Sequence, residues 1–273
     1  MSLRLEHWMK YPKIDAHCHA GGDHPGDRLV ATADDLGVVE MWCSQPISAG
    51  RIAPMEEVRA RNDKTLEAMK RHPDRIQGMC FVIPGYFGEA LAEVERCLDA
   101  GMIGIKLYNQ YLICDPVVGP LLELASERKV PVLEHAGYLS APEHLEKQPL
   151  ISHGEHFKRA GDQHPDAIII HAHIGGGGDW ERTVRAMRYA SPNIYCDTSG
   201  SNLDDGQVEL AVAEMGAERV LYGSDGTMAG GVGKVIDATI TDAERELLFW
   251  GNCERILAEQ GRKPLQVKGE RQE

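Results

Sequence analysis

The sequence predicts an α/β protein in which eight parallel strands and their helices close into a single-domain (β/α)8 TIM barrel. Three observations support this fold class: eight short apolar runs, longer stretches of helical periodicity between them, and a length of 273 residues. Strands that alternate with helices pair in parallel through right-handed crossovers. A doubly wound open sheet is the rival, but eight strand–helix units are many for an open sheet, so the barrel is favoured.

The predicted strands are nearly continuous apolar runs, as expected for a sheet that is covered on both faces. They comprise residues 13–16, 37–42, 76–83, 103–107, 130–134, 167–172, 193–196 and 220–222. The predicted helices comprise residues 56–71, 89–100, 116–129, 152–164, 179–190, 203–216 and 241–259. Thr241 and Glu244 form a capping-box pattern that opens the last helix. No linker stands out, so residues 1–273 are expected to form one domain with a frayed polar tail from about residue 262.

Composition limits the classes of function. The chain carries 29 Lys and Arg against 42 Asp and Glu, a net charge of −13, so no nucleic-acid partner is expected. No apolar run approaches the ~18 residues of a membrane helix, and the first residues lack the apolar stretch of a signal peptide. The seven scattered cysteines are typical of a cytoplasmic protein with reduced thiols. A small-molecule substrate is therefore the expected partner, and homo-oligomer formation is left open.

Residues that bind metals or transfer protons stand at the carboxyl ends of five predicted strands. These ends meet at one face of a barrel, which is the face that carries active sites. His17 and His19 end the first strand and lie on the same side of it, because side chains alternate along a strand. The residues at the other four strand ends are Lys106, His135, His173 and Asp225. Imidazoles and a carboxylate around an open position are typical of a catalytic zinc site, with His17, His19, His135 and Asp225 as the donors.

Each of these residues also has a structural interpretation. A lone HxH motif is a weak signal, His135 alone fits a buried core histidine, and Lys106 fits a lysine that extends its amine to solvent. Asp225 precedes a glycine-rich segment and fits a turn. Their joint occurrence at the strand ends of one barrel favours the metal site. For His171, which repeats the HxH pattern deeper in its strand, a buried structural role is favoured, and the glycines at 175–178 predict either a tight turn or close approach of a substrate.

At these positions the sequence resembles the amidohydrolase superfamily, in the branch that contains aminocarboxymuconate-semialdehyde decarboxylase, resorcylate-type decarboxylases and pyrone-dicarboxylate lactonase. The matching segments, in the family's order, are IDAHCH, GIKLY, VPVLEHAG, IIIHAHIGG, NIYCDTSG, VLYGSDG and GNCERIL, between residues 14 and 257. The resemblance implies a divalent metal, most often Zn²⁺, with His17, His19, His135 and Asp225 as its ligands. It also implies that His173 is a catalytic acid/base and that Asp225 takes a proton from the activated water.

Two departures from the family pattern concern the substrate pocket. The segment GIKLYNQ places Tyr108 where related sequences often carry a histidine. Residues 226–231 predict a mobile glycine-rich loop where many relatives have a proline. Tyr108 and Arg51 are candidate substrate-binding residues, and Arg51, which follows the second strand, could hold a carboxylate with two hydrogen bonds. A solvated loop position is the alternative for Arg51.

The predicted function is a metal-dependent hydrolase in which a metal-activated water attacks a small carbonyl, lactone, ester or amide substrate. The compactness of the chain favours hydrolysis over the alternative, non-oxidative decarboxylation of a small aromatic or unsaturated acid on the same site. One metal ion is preferred, although a carbamylated Lys106 together with His173 would hold a second. A metal-free barrel that binds a ligand without catalysis is the alternative of another class.

Overall fold

Eight parallel strands form one sheet in the order β1 to β8, which confirms the predicted (β/α)8 barrel. The computed structural model describes residues 3–174, 178–200 and 202–265, with side chains from residue 5 onward. All eight predicted strands are present, with ends that differ from the prediction by a few residues. Their bounds are Lys13–Cys18, Val38–Cys43, Ile76–Phe81, Gly104–Leu107, Val132–His135, Ile169–Ala172, Ile194–Asp197 and Val220–Leu221 for β1 to β8.

Backbone hydrogen bonds join the last strand to the first. The amide of Ala16 donates to the carbonyl of Tyr222 (2.9 Å), and the amide of Asp225 donates to the carbonyl of His17 (2.7 Å). The buried carboxylate of Asp15 also accepts hydrogen bonds from backbone amides on both sides of this seam. The two edges of the sheet, β1 and β8, therefore meet and close the barrel.

Twelve α-helices lie in the described part of the chain, and each predicted helix is among them. The last predicted helix is interrupted by a π-helical turn, Leu247–Gly251, and the capping box of Thr241 and Glu244 is confirmed at its start. The bounds of α1 to α12 are Leu3–Lys10, Asp27–Asp35, Met55–Arg71, Gly88–Asp99, Gly119–Arg128, Pro142–Lys147, Gly154–Gln163, Trp180–Met187, Gln207–Met215, Met228–Asp237, Asp242–Glu246 and Asn252–Glu259. None of these helices is long and apolar enough to cross a membrane.

Alternate residues of each strand pack into two different cores. Val132 and Ile169 belong to the larger core, which also contains the buried faces of the surrounding helices. Leu133, Ile170 and Leu221 belong to a second core, which the strands share with residues of the last helix such as Ile256. This alternation is what a barrel requires, because one face of the sheet meets the helices and the other fills the interior.

The expectation of a mobile loop at residues 226–231 is wrong, because α10 begins inside it at Met228. Glycine lowers helix propensity, but here it permits close packing: a Cβ added to Gly231 would lie 3.3 Å from the carbonyl oxygen of Gly223. The tail from 262 is partly fixed, since Arg262 donates to the carbonyl of Gly101 (3.2 Å). Residues 175–177 and 266–273, which include most of the predicted glycine turn and of the frayed tail, lie outside the described residues.

Candidate metal and catalytic site

Three donor atoms from β1 and from the segment after β8 converge at the carboxyl end of the barrel. Nε2 of His19 lies 2.8 Å from Oδ1 of Asp225, and Nε2 of His17 lies 3.8 Å from the same oxygen. The three donors lie within 4.8 Å of one another. His17 is buried, whereas the side chains of His19 and Asp225 are 32% and 30% exposed, so the group opens to solvent on one side.

The other ring nitrogens of these two histidines are held by fixed acceptors. Nδ1 of His17 donates to the buried carboxylate of Asp197 (3.0 Å), and Nδ1 of His19 donates to the carbonyl of Ser44 (3.1 Å). This arrangement fixes the tautomer, so that each Nε2 keeps a lone pair for a cation. Two imidazole nitrogens and a carboxylate oxygen that point to one place, with their rings oriented from behind, fit a divalent transition metal.

Irregular backbone brings these side chains together. The pairing of β1 with β2 shifts register between Asp15 and Cys18, and His17 and His19 face the site while Cys18 packs in the helix-side core. A Cβ added to Gly223 would lie 3.0 Å from the carboxyl carbon of Asp197 and 3.1 Å from Cβ of His17. Glycine at 223 therefore allows β8 to approach the site this closely.

His173 and Asp225 both have left-handed backbone conformations, with φ of 66° and 48°. Such a φ is uncommon for residues other than glycine and persists only where the surroundings impose it. The amide of His173 donates to Asp197 Oδ1 (2.9 Å). His171, two residues earlier, is buried against the Phe157 ring (4.5 Å between centroids), so a regular strand would have turned His173 to the same outer side. The left-handed residue instead turns His173 into the site.

The electrostatics of the site favour neutral rings at His17 and His173 and a charged carboxylate at Asp225. Burial, together with the neighbouring imidazoles of His135 and His17, holds the pKa of His173 well below its usual range. Burial would raise the pKa of Asp225, but the contact with His19 and the nearby His17 and His173 outweigh it and hold this pKa below its usual range. These are the protonation states that metal ligation and proton transfer require.

Lys106 is fully buried beside the three donors. Its Nζ lies 3.0 Å from Nε2 of His17, and burial lowers its pKa to about 8, although the charges of Asp225 and Asp197 oppose this shift. The site therefore contains an amine that gains or loses its charge near neutral pH. Carbamylation of this amine and a second metal ion stay predictions.

His135 lies at the far side of the site, outside the group of three donors. Its ring is stacked on Tyr108 with 4.1 Å between the centroids and an interplanar angle of 2°. Nδ1 of His135 lies 3.0 Å from Nε2 of His173, and Nε2 lies 3.1 Å from Oε1 of Gln148. Contacts thus link Tyr108 and His135 to the three donors through His173, whose Nε2 lies 3.9 Å from Oδ2 of Asp225.

Arg51 is the predicted site residue that does not join this group. Its guanidinium binds both carboxylate oxygens of Glu57 and is 52% exposed, which matches the solvated position. Its backbone carbonyl accepts a hydrogen bond from Gln110 (3.3 Å), so the main chain of Arg51, rather than its side chain, borders the loop that follows β4.

Sequence reasoning did not assign a role to four side chains that hold the site together. Asp197 and Ser199 contact both His17 and His173, and Asn109 and Gln148 lead to His135. Asp197 could have been predicted, because it is a polar residue at the carboxyl end of β7, just as His135 is at the end of β5. Gln148 carried no such signal, since it lies outside every predicted strand and helix, four positions before the predicted helix at residues 152–164.

Comparison with known proteins identifies the family. A family model described as amidohydrolase matches residues 14–258. The chain belongs to the amidohydrolase family. A comparison with curated proteins gave no match.

Several solved structures share the barrel of this amidohydrolase. The 2,6-dihydroxybenzoate decarboxylase from Rhizobium has a TM-score of 0.68 and 19% identity, covering 90% of this chain and 98% of that chain. The 5-carboxyvanillate decarboxylase from Sphingomonas paucimobilis has a TM-score of 0.67 and 16% identity, with coverage of 90% and 98%. A dihydroxybenzoic acid decarboxylase from a Polaromonas species, solved with bound manganese and an inhibitor, has a TM-score of 0.66 and 19% identity, with coverage of 90% and 96%. These likenesses establish the fold.

Proposed function

We propose that this protein is a metal-dependent decarboxylase that removes carbon dioxide from a small hydroxylated aromatic or unsaturated carboxylic acid without oxidation. The observation that supports this proposal is the group of donors from His17, His19 and Asp225 beside a buried amine, Lys106, 3.0 Å from His17. A bound cation and the amine of Lys106 would together suit a substrate that arrives as a carboxylate. The three similar structures are decarboxylases, which points the same way.

His17, His19 and Asp225 would hold the metal, with His135 as the fourth ligand that the family resemblance implies. When bound, the metal supplies a Lewis acid for the oxygens of the substrate. Lys106, held in place by burial, presents its amino group to the same anion. The chain thereby binds and orients the carboxylate before the carbon–carbon bond breaks.

Decarboxylation replaces a carbon–carbon bond by a carbon–hydrogen bond, so a proton must reach the substrate carbon. The electron pair of the breaking bond stays on that carbon and takes this proton, and carbon dioxide leaves. His173 is placed to supply the proton: its Nε2 lies 3.9 Å from Oδ2 of Asp225 and its Nδ1 lies 2.8 Å from Oγ of Ser199. Because burial favours the neutral ring, His173 would first take a proton from the substrate or from water and then pass it to the carbon.

Hydrolysis is the second candidate, favoured by the exposure of Asp225. A charged carboxylate that is 30% exposed beside two imidazole donors is placed to take a proton from a water molecule. The compactness of the chain does not separate the two reactions, because the alignment with the Rhizobium decarboxylase covers 98% of that chain. The choice between them rests on the substrate.

The test is a substrate panel assayed with Mn²⁺ and with Zn²⁺. It contains hydroxybenzoates, 5-carboxyvanillate, lactones, esters and amides, and carbon dioxide release is followed by a coupled assay. We expect metal-dependent carbon dioxide release from at least one acid, abolished in Asp225→Ala. Turnover of a lactone, ester or amide without carbon dioxide release would overturn the proposal in favour of hydrolysis, and a lack of turnover with every substrate would support a binding barrel.

A further inference from the structure

A second group of candidate metal donors lies outside the barrel interior, in the larger core between β3 and α4. It consists of Sγ of Cys80, Sγ of Cys97 and a carboxylate oxygen of Glu93, which lie within 4.8 Å of one another. All three residues are buried. In the part of the chain that the structure describes, the other groups of three such donors both include His17. This group is therefore separate from the site at the carboxyl end.

Regular secondary structure places these three side chains together. Glu93 and Cys97 lie one turn apart on the same face of α4, and Sγ of Cys97 is 3.5 Å from Oε1 of Glu93. Cys80 lies in β3 and packs in the larger core, on the side of the sheet that meets the helices. Tetrahedral binding of Zn²⁺, with bonds of about 2.0–2.3 Å, separates the donors by roughly 3.5–3.8 Å. Shifts of about 1 Å or less would therefore bring the group to this geometry.

The surrounding side chains orient the donors and balance their charge. Nδ2 of Asn62 donates to Oε1 of Glu93 (2.8 Å) and lies 3.5 Å from Sγ of Cys80. The guanidinium of Arg96 donates to both carboxylate oxygens of Glu93, at 2.8 and 2.7 Å. Two thiolates and a carboxylate around a divalent cation carry one net negative charge, which this guanidinium neutralises. Donors that hold the ligands from behind are typical of metal sites.

Without a cation, the group is held together by hydrogen bonds of its own. Burial raises the pKa of the Cys80 thiol, and the Cys97 thiol donates to Oε1 of Glu93. A cation that binds thiolates displaces such protons. Arg96, which binds Glu93, is 43% exposed, so solvent reaches the side chain next to the group. The barrel can therefore fold first and bind the cation afterwards.

We propose that Cys80, Cys97 and Glu93 form a second metal site, which binds a thiophilic cation such as Zn²⁺ and ties α4 to β3. Thiolate ligands select such cations, whereas the nitrogen and oxygen donors at the carboxyl end also suit Mn²⁺. Three protein donors leave one position for a further ligand, as in zinc sites that keep an open position. The site does not depend on the proposed function, because it shares no donor with the carboxyl end.

The test is a titration of the reduced, metal-free protein with Cd²⁺, a thiophilic probe whose bonds to thiolates absorb in the ultraviolet. We expect a sulfur-to-metal charge-transfer band that saturates with one thiolate-bound Cd²⁺ per chain. Excess Zn²⁺ should remove this band by competing for the same donors. The donors at the carboxyl end are nitrogen and oxygen atoms, so a cation bound there gives no such band.

Variants of the three donors show where the probe binds. Cys80→Ala and Cys97→Ala should each lose most of the band. Glu93→Gln keeps both thiols and should weaken Cd²⁺ binding at least about 10-fold, since even the loss of a residue that only orients a ligand costs this much. Cys114→Ala, at a buried cysteine outside the group, is the matched control and should keep the full band.

Circular dichroism shows whether each variant is folded, and Glu93→Gln tests the site without removing a thiol from the core. The absence of a band in the unsubstituted protein would overturn the proposal. A band of equal strength in Cys80→Ala and Cys97→Ala would also overturn it, because the probe would then bind other thiols.

Metal content distinguishes this site from the one at the carboxyl end. After equilibration with Zn²⁺, we expect two bound ions per chain in the unsubstituted protein and one in Cys97→Ala. His17→Ala should also keep one ion, and its Cd²⁺ complex should keep the charge-transfer band. Two ions in Cys97→Ala, or a band that disappears in His17→Ala, would overturn the second site. Because the band needs no substrate, failure of the decarboxylase proposal would leave this result standing.

Discussion

The two ends of the barrel both bury ionisable side chains, but they use them differently. At the amino end, Nζ of Lys13 donates to the carbonyls of Met9, Tyr11 and Leu36 at 3.2, 2.7 and 2.9 Å. At the carboxyl end, Nδ1 of His17 and of His19 is satisfied, but each Nε2 faces the region that Asp225 also faces.

The contacts of these buried side chains distinguish a structural role at the amino end from a functional role at the carboxyl end. All three contacts of Lys13 go to main-chain oxygens, so its burial serves the closure of the barrel. At the carboxyl end, by contrast, ring nitrogens of His17 and His19 and a carboxylate oxygen of Asp225 lie within 4.8 Å of one another, beside the amine of Lys106. We therefore expect substitutions at the amino end to lower the free energy of unfolding without affecting metal binding. Substitutions at the carboxyl end should weaken metal binding without lowering the free energy of unfolding.

The largest expected effect follows from His17→Ala. Metal at 100 times its Kd should stabilise the unsubstituted protein by about 2.7 kcal/mol, which raises Tm by roughly 5–10 °C. Removal of a buried donor should abolish this gain. Thermal unfolding with and without added Mn²⁺ measures it, and His24→Ala, in an exposed loop, should keep the full gain. A gain retained in His17→Ala would contradict the site.

A smaller effect is expected for Asp197→Asn. The amide oxygen can still accept from the backbone amide of His173, but its NH₂ group then faces Nδ1 of His17 and favours the wrong tautomer. Metal affinity should fall about 10- to 100-fold in a calorimetric titration. The exposed Asp205→Asn in the same loop is the control and should bind metal normally. Equal affinity in both variants would mean that Asp197 does not orient the ligand.

Lys13→Met tests the amino end. Three partly buried carbonyls lose their donor, which should lower the free energy of unfolding by about 1–3 kcal/mol. Urea unfolding measures this loss, and the metal-dependent gain in Tm should stay unchanged. Lys10→Met, at an exposed position, should change stability by less than about 0.5 kcal/mol. A loss of metal binding in Lys13→Met would show that the two ends are not independent.

The smallest expected effect is a pH dependence at Glu40. Burial raises its pKa to about 6, although hydrogen bonds from Leu265 and Trp42 oppose the shift. The folded state therefore holds the proton more tightly than the unfolded chain, and this contribution to stability is lost as pH rises through 6. Relative to Glu40→Gln, the protein should lose about 2 kcal/mol between pH 4.5 and pH 7.

Urea unfolding across this pH range measures the loss at Glu40. The exposed Glu67→Gln should track the unsubstituted protein at every pH. A constant difference between Glu40→Gln and the unsubstituted protein would show that Glu40 has an ordinary pKa.

The regular parts of the molecule could be predicted from the sequence. Apolar runs marked all eight strands, and polar residues at their carboxyl ends pointed to His17, His19, His173 and Asp225, because parallel strands in a barrel end at one face. Alternation along β1 correctly separated His17 and His19 from Cys18. These inferences needed only the strand period and the topology.

The irregular parts could not be predicted. The left-handed backbone at His173 has little signal in the sequence, since few residues other than glycine adopt it, and a hydrogen bond to Asp197 helps to hold it. The glycine-rich start of α10 indicated a loop because propensity opposes a helix, whereas packing against β8 decides the outcome. Gln148 reaches His135 through a loop, and loop geometry follows from contacts that lie far apart in sequence.

Anomalous diffraction at the manganese edge, from crystals grown with Mn²⁺, tests the central claim most directly. The account predicts one strong peak at roughly 2.0–2.3 Å from Nε2 of His17, Nε2 of His19 and a carboxylate oxygen of Asp225. A peak elsewhere in the barrel, or no peak at this site at saturating Mn²⁺, would contradict it.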